Sequence, residues 1–191
     1  MTNLSIIGSG NMGTAIAGVA RKGGHDVQVL GRADQDQALT GDVVVLAVPY
    51  PSVADIVAQR REELAGKVVV DLTNPLDFET FDSLVVPADS SAAAEIAAAL
   101  PDSRVVKAFN TNFAATLASG EVGGRPTTVI VAGDDTDAKA VVRDVVTSGG
   151  LVALDAGDLR RARELEAIGF LQIKLAASEQ VPWTGGFAVQ S

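Results

Sequence analysis

The residues best suited to chemistry in this chain are Gly8-Ser9-Gly10-Asn11-Met12-Gly13, set between an apolar run, Leu4 to Ile7, and a stretch of helix formers, Thr14 to Arg21. Each glycine answers a separate steric demand. The first permits a tight turn, the second lets the backbone approach a pyrophosphate, and the third lets helix pack on strand, while the helix N-terminus attracts the phosphates. With a second apolar run at Val27 to Leu30 behind it, the spacing is a dinucleotide-binding fingerprint in its proper context.

Further candidates follow each apolar run. Where an NAD enzyme carries an acid about twenty residues past the glycines, this chain has Gly31 and Arg32, and a guanidinium there suits the 2'-phosphate of NADP. Asp34 and Asp36 add negative charge nearby and would weaken that preference if they faced the ligand. Ala47 and Val48 lead into Pro49-Tyr50-Pro51, a stiff turn in which the sole tyrosine can wall off the cofactor or donate its hydroxyl. Asn74-Pro75 and Asn110 offer amides able to orient a carboxamide or a substrate, and equally serve ordinary turns.

These positions come together only if the runs form one sheet. Apolar segments at Asp42 to Val48, Lys67 to Thr73, Arg104 to Phe109, Thr127 to Gly133 and Leu151 to Asp155 alternate with helical patterns at Ser52 to Leu64, Ser91 to Leu100 and Asp135 to Thr147. The fold class is therefore α/β: a Rossmann-type, doubly wound, mainly parallel sheet with a C-terminal helical extension. Between the second and third strands, Arg32 to Gly41 leaves only about ten residues, enough for a loop or one helical turn. Residues 1–157 are expected to form the NAD(P)-binding domain, and 158–191 a helix and tail packed on it or on a dimer partner. The helix should place Ala162, Leu165, Ile168 and Leu175 near a common face. The Trp183 to Phe187 tail reads equally as a lid or as packing.

In such a sheet ligands bind beyond the carboxyl ends of the strands. His25, the only histidine, precedes the second strand and so belongs to the opposite edge. Lys107 lies within the fifth strand, where an edge or snorkelling lysine is expected. No proton-transfer group is left at the rim, which suits hydride transfer to an acceptor that needs little acid-base help, such as a flavin-like ring.

Composition narrows the classes. A net charge of -9 gives no footprint for nucleic acid or an anionic membrane. The absence of cysteine removes disulfides, thiolate catalysis and iron-sulfur clusters, and no metal site is expected. No apolar stretch is long enough for a signal peptide or a span, so a cytoplasmic protein is expected.

The motifs GSGNMG (Gly8 to Gly13), AVPYPS (Ala47 to Ser52), VVVDLTNPL (Val68 to Leu76), VVKAFNT (Val105 to Thr111), VAGDD (Val131 to Asp135) and DAG followed by ARELE (Asp155 to Glu166) stand in this order along almost the whole chain. In this order they resemble the NADPH-dependent deazaflavin (factor 420) reductase family, and also the cytoplasmic domain of the STEAP metalloreductases. The resemblance implies hydride exchange between NADP and a deazaflavin or flavin co-substrate, in a homodimer. It implies that Ser9 to Met12 contact the pyrophosphate, Arg32 the 2'-phosphate, and Val48, Pro49, Asn74 and Pro75 the nicotinamide half. Tyr50 and Asn110 then stand near the hydride site, with the Gly185-Gly186 tail by the acceptor. The chain departs from the family by lacking much of the helix between the second and third strands, and by carrying asparagine at 110 where histidine is common. An alternative of another class is an NADP(H)-binding redox sensor without turnover, which a filled nicotinamide face would favour.

Overall fold

The computed structural model describes residues 1–189. In chain order the elements are β1 (Asn3–Ile7), α1 (Asn11–Lys22), β2 (Asp26–Leu30), β3 (Val43–Leu46), α2 (Val53–Leu64), β4 (Val68–Asp71), α3 (Ala92–Ala99) and β5 (Arg104–Lys107). They continue with α4 (Ala114–Ser119), β6 (Glu121–Val122), β7 (Arg125–Pro126), β8 (Thr128–Gly133), α5 (Thr136–Ser148), β9 (Val152–Gly157) and α6 (Ala162–Ala177). A single 3-10 turn, Arg32–Asp34, is the only helical piece between β2 and β3, as the short spacing requires.

Seven strands form one sheet in the order β2-β1-β3-β4-β5-β8-β9. The Val-rich strands β3 and β4 are buried on both faces, which places them centrally. Alternate residues feed two cores. Ile6, Val45, Val70 and Val106 pack with Ile16 and Val19 of α1 and Val142 and Val145 of α5. Val44, Leu46, Val69 and Val105 pack with Val57 and Leu64 of α2 and Ile96 of α3 on the other side.

β1 to β5 are parallel, but β8 joins β5 antiparallel, with Lys107 opposite Ala132. The reason lies in the connection: α4 has six residues, too few to carry the chain back along the sheet as a crossover. β8 therefore starts at the edge where β5 ends, and Asn112 Nδ2 donates to Thr128 O there at 2.9 Å. The loops after β8 and β9 lie at the far edge, away from the glycine turn.

The C-terminal helix departs from its apolar pattern. Its buried residues are Ala162, Leu165, Glu166, Gly169, Gln172 and Ala176, whereas Ile168 and Leu171 are exposed. Polar bonds made by Glu166 set the buried face, so spacing of apolar residues alone misplaced it. Among the described residues no helix is long and apolar enough to cross a membrane.

Candidate functional site

The three strands β1, β2 and β3 end side by side. Gly8 N donates to Leu30 O and Ala47 N to Ile7 O, both at 2.8 Å, so the glycine turn is tied to both neighbours. Gly8 has φ +120°, and a Cβ there would lie 2.0 Å from Ala47 O. A Cβ on Gly13 would lie 1.9 Å from Gly8 O. Gly10 differs, because beyond its own chain neighbours no heavy atom of the protein lies within 4 Å of where its Cβ would be. It caps α1, which has no side-chain cap and no acidic residue in its first turn. The N-terminal amides of α1 thus face an open loop, whereas Ser91 caps α3 and Asp135 caps α5.

Ser9, Gly10, Gly31, Arg32, Ala47 and Val48 line a cavity of 510 Å³ together with Ile56, Gln59 and Arg60 of α2. Arg32 is exposed and makes no hydrogen bond or ion pair among the described residues. Asp34 also lines this cavity, but its carboxylate is engaged: Oδ2 accepts from Gly31 N and Oδ1 from Gln37 Nε2, both at 2.8 Å. Asp36 is not in the wall. Arg60 went unrecognised in the sequence because nothing local marks it. It is buried, and its guanidinium donates to Gln37 O at 3.0 Å, to Gln35 O and to Glu63, holding the loop that replaces a helix.

A second cavity, 610 Å³, adjoins the first across Val48 and Pro49. Asn11, Met12, Tyr50, Asn74 and Asn110 line it, so residues from four separate loops converge there. Asn110 Nδ2 donates to Asn74 Oδ1 at 2.9 Å, and Asn74 Nδ2 donates to Asn110 O at 2.9 Å. Pro75 is buried and belongs to neither cavity wall. Its position next to Asn74 is fixed by the turn, not by ligand access.

Three phenylalanines of this wall, Phe78, Phe81 and Phe113, carry no local signal in the sequence. Phe78 and Phe81 come from the loop after β4 and meet edge to face, with centroids 5.7 Å apart. Phe81 has φ +53°, an uncommon backbone for a bulky side chain. Phe113 and Trp183 pack 4.9 Å apart at 53°, which brings the C-terminal tail to the cavity rim.

Tyr50 donates its hydroxyl to Glu95 of α3. Burial, then that hydrogen bond and the Glu95 charge, push its phenol above the usual value, so it stays protonated and is a poor acid. It serves as wall.

Lys107 is neither at an edge nor snorkelling; it is wholly buried. Its Nζ donates to Asp71 Oδ2 at 2.7 Å, Glu166 Oε1 at 2.8 Å and Thr73 O at 2.5 Å. Glu166 Oε2 and Oε1 also accept from the amides of Ala92 and Ala93, at 3.0 and 3.3 Å, at the start of α3. Burial pushes the Glu166 carboxyl up, and Lys107 opposes that shift. Since α6 also carries Gly169, Gln172 and Ile173 in the cavity wall, this charge cluster holds α6, α3 and the Thr73 loop in register behind the cavity. His25 lies at the far edge, where Nδ1 accepts from Thr2 N at 3.1 Å and Nε2 meets Ser148 Oγ at 2.8 Å.

Comparison with known proteins places this geometry in a lineage. A family model described as NADP oxidoreductase, coenzyme F420-dependent, matches residues 26–75. The chain is 34% identical to an F420-dependent NADP reductase of Methanocaldococcus jannaschii over 173 residues, covering 87% of this chain and 76% of that protein. It is 32% identical to the metalloreductase STEAP3 of Rattus norvegicus over 148 residues, which are 78% of this chain but 28% of that longer protein. A solved structure from Arthrobacter sp. FB24, a candidate F420-dependent NADP reductase, superposes with a TM-score of 0.87 at 26% identity over 100% of both chains.

Proposed function

Since the chain belongs to the coenzyme F420-dependent NADP oxidoreductase family, we propose that it transfers a hydride between NADPH and a flavin- or deazaflavin-like acceptor. The observation that carries this reading is the pair of adjoining cavities that share Val48 and Pro49 beside an uncapped α1 N-terminus.

The residues fit the dinucleotide. Gly10 leaves room that no protein atom needs, so the loop backbone is free to approach a pyrophosphate, with Ser9, Asn11 and Met12 as neighbours. Gly8 and Gly13 keep the turn closed. Gly31 and Ala47 form the floor at the ends of β2 and β3, and unpaired Arg32 supplies the cation for a 2'-phosphate. Val48 and Pro49 then separate the nucleoside half from the nicotinamide half, with Asn74 and Asn110 as its amide wall and Pro75 as rigid backing.

Bound NADPH supplies a hydride, so that NADPH, a proton and the oxidised acceptor give NADP⁺ and the two-electron-reduced acceptor. The protein's part is orientation, the proton coming from solvent. Tyr50, held protonated and already donating to Glu95, is a wall and not the source of that proton. The open second cavity favours turnover over the sensor alternative, which needs a filled nicotinamide face.

The homodimer implied by the family would use apolar surface, and the exposed Ile168 and Leu171 on α6 offer it. The cytoplasm, with its NADPH pool, is the proposed setting. The test follows 340 nm absorbance with NADPH or NADH and a panel of flavins, deazaflavin and quinones. NADPH is expected to be oxidised much faster than NADH, and no acceptor-dependent loss of absorbance would remove the oxidoreductase reading. Arg32→Ala should weaken NADPH binding by about 1.5–3 kcal/mol while leaving NADH binding nearly unchanged; equal losses would return Arg32 to a packing role.

A further inference from the structure

Two opposite charges line the 510 Å³ cavity beyond β2 without neutralising each other. Arg32 has no partner, and half-buried Asp34 is bonded only to Gly31 and Gln37 among the described residues. Asp34 is held firmly. Its Oδ2 accepts from Gly31 N and its Oδ1 from Gln37 Nε2, both at 2.8 Å, while buried Arg60 donates to Gln35 O and Gln37 O and so fixes the chain just beyond it. The carboxylate cannot swing away from a ligand without breaking those bonds.

Its place matters because Gly31 brings no side chain of its own. A Cβ on Gly31 would stand 3.1 Å from Ser9 Oγ and 3.5 Å from Asp34 Oδ2. The single 3-10 turn after β2, Arg32–Asp34, folds residue 34 back over residue 31. Asp34 thereby delivers a carboxylate to the strand end where an NAD site carries its acid. A carboxylate offers about four acceptor positions, of which Gly31 N and Gln37 Nε2 fill two. The remainder equals in number the 2'- and 3'-hydroxyls of an adenosine ribose, whereas a 2'-phosphate would meet a like charge.

We propose that Asp34 is a specificity-determining residue of the dinucleotide site: its carboxylate receives the ribose hydroxyls of NADH, which makes NADH a second, weaker coenzyme, and its charge holds the preference for NADPH below what Arg32 alone would give. The inference rests on the NADP(H) reading of this cavity and adds a second coenzyme to the same site. Arg32 and Asp34 then act on one position, the ribose 2'-oxygen. The guanidinium favours it phosphorylated, and the carboxylate favours it as a free hydroxyl.

The experiment titrates the full chain with NADPH, NADH and NADH lacking the adenosine 2'-hydroxyl, by isothermal calorimetry and without any acceptor. Thermal unfolding of each variant checks that it is folded. The parent should bind both natural coenzymes, NADPH more tightly, and the deoxy analogue several-fold more weakly than NADH. Asp34→Asn keeps an oxygen for Gly31 N but removes the charge, and should tighten NADPH and weaken NADH, each by about tenfold. Asp34→Ser, whose hydroxyl can also accept from Gly31 N, should shift both in the same directions. A role confined to capping the turn would move the two coenzymes alike, so equal shifts, or none, would overturn the assignment. A parent that binds NADPH but not NADH, or that binds the deoxy analogue as tightly as NADH, would overturn it without any variant. NADH weakened with NADPH unchanged would overturn the repulsion of the 2'-phosphate. A parent that binds no dinucleotide would instead remove the NADP(H) reading on which the inference stands.

Discussion

Gly169 of α6 lies against Asn74 so closely that a Cβ on it would stand 2.3 Å from Asn74 Oδ1. Helix and cavity floor are in direct contact there, and Asn74 has no freedom to retreat because it is bonded twice to Asn110. Alanine would gain about 1 kcal/mol in helix propensity. Against that stand overpacking, typically about 1–3 kcal/mol, and two hydrogen bonds of about 1 kcal/mol each. Gly169→Ala is therefore expected to lower stability by about 2–4 kcal/mol in urea unfolding and to raise the acceptor KM more than the NADPH Kd. Unchanged stability and acceptor KM would show that α6 does not shape the site.

The three glycines of the opening turn should separate by role. Gly13→Ala drives a methyl into Gly8 O and should destabilise the fold by about 2 kcal/mol or more. Gly10→Ala meets no protein atom and has φ -74°, so stability should stay within about 0.5 kcal/mol of the parent or rise slightly. Dinucleotide binding should nonetheless fall steeply in Gly10→Ala. Thermal unfolding paired with NADPH titration reads both effects, and a Gly10→Ala variant that still binds NADPH normally would place the pyrophosphate elsewhere.

Lys107→Met leaves Asp71 and Glu166 buried without their cation. Breaking such a cluster typically costs about 3–5 kcal/mol. The loss should depend on pH. Burial already raises the Glu166 carboxyl, and removing Lys107 raises it further, so the folded state holds a proton that the unfolded chain releases. Stability then falls as pH rises between the unfolded and folded values, and the variant's deficit should be smaller at pH 5 than at pH 8. A deficit independent of pH would show that the lost lysine mattered through packing alone.

Tyr50 is the only tyrosine, so absorbance at 295 nm reports a single phenol. Its upward shift, from burial first and Glu95 second, predicts no tyrosinate step near the ordinary value of about 10 while the protein remains folded. Glu95→Gln removes the charge and should move the step downward toward that value. A normal titration in the parent protein would place Tyr50 in solvent and away from Glu95.

What the amino-acid sequence determined by itself was local. The glycine turn, the Val-rich central strands, the short β2 to β3 connection and the placement of Arg32 after β2 follow from spacing and side-chain type over a few residues. Those signals reach as far as the first cavity. The second depended on contacts between distant parts of the chain: Lys107 meets Glu166 at a separation of 59 residues, and Glu166 reaches Ala92 across 74. No periodicity records such a pairing, so the apolar spacing put Ile168 on one face with Leu165 and carried no sign that Glu166 is buried. The reversal of β8, the aromatic wall of Phe78, Phe81 and Phe113, and the seating of α6 on Asn74 were likewise decided only in three dimensions. The physical reason is that local pattern fixes which face a residue presents, while buried charge and close packing fix what that face must meet.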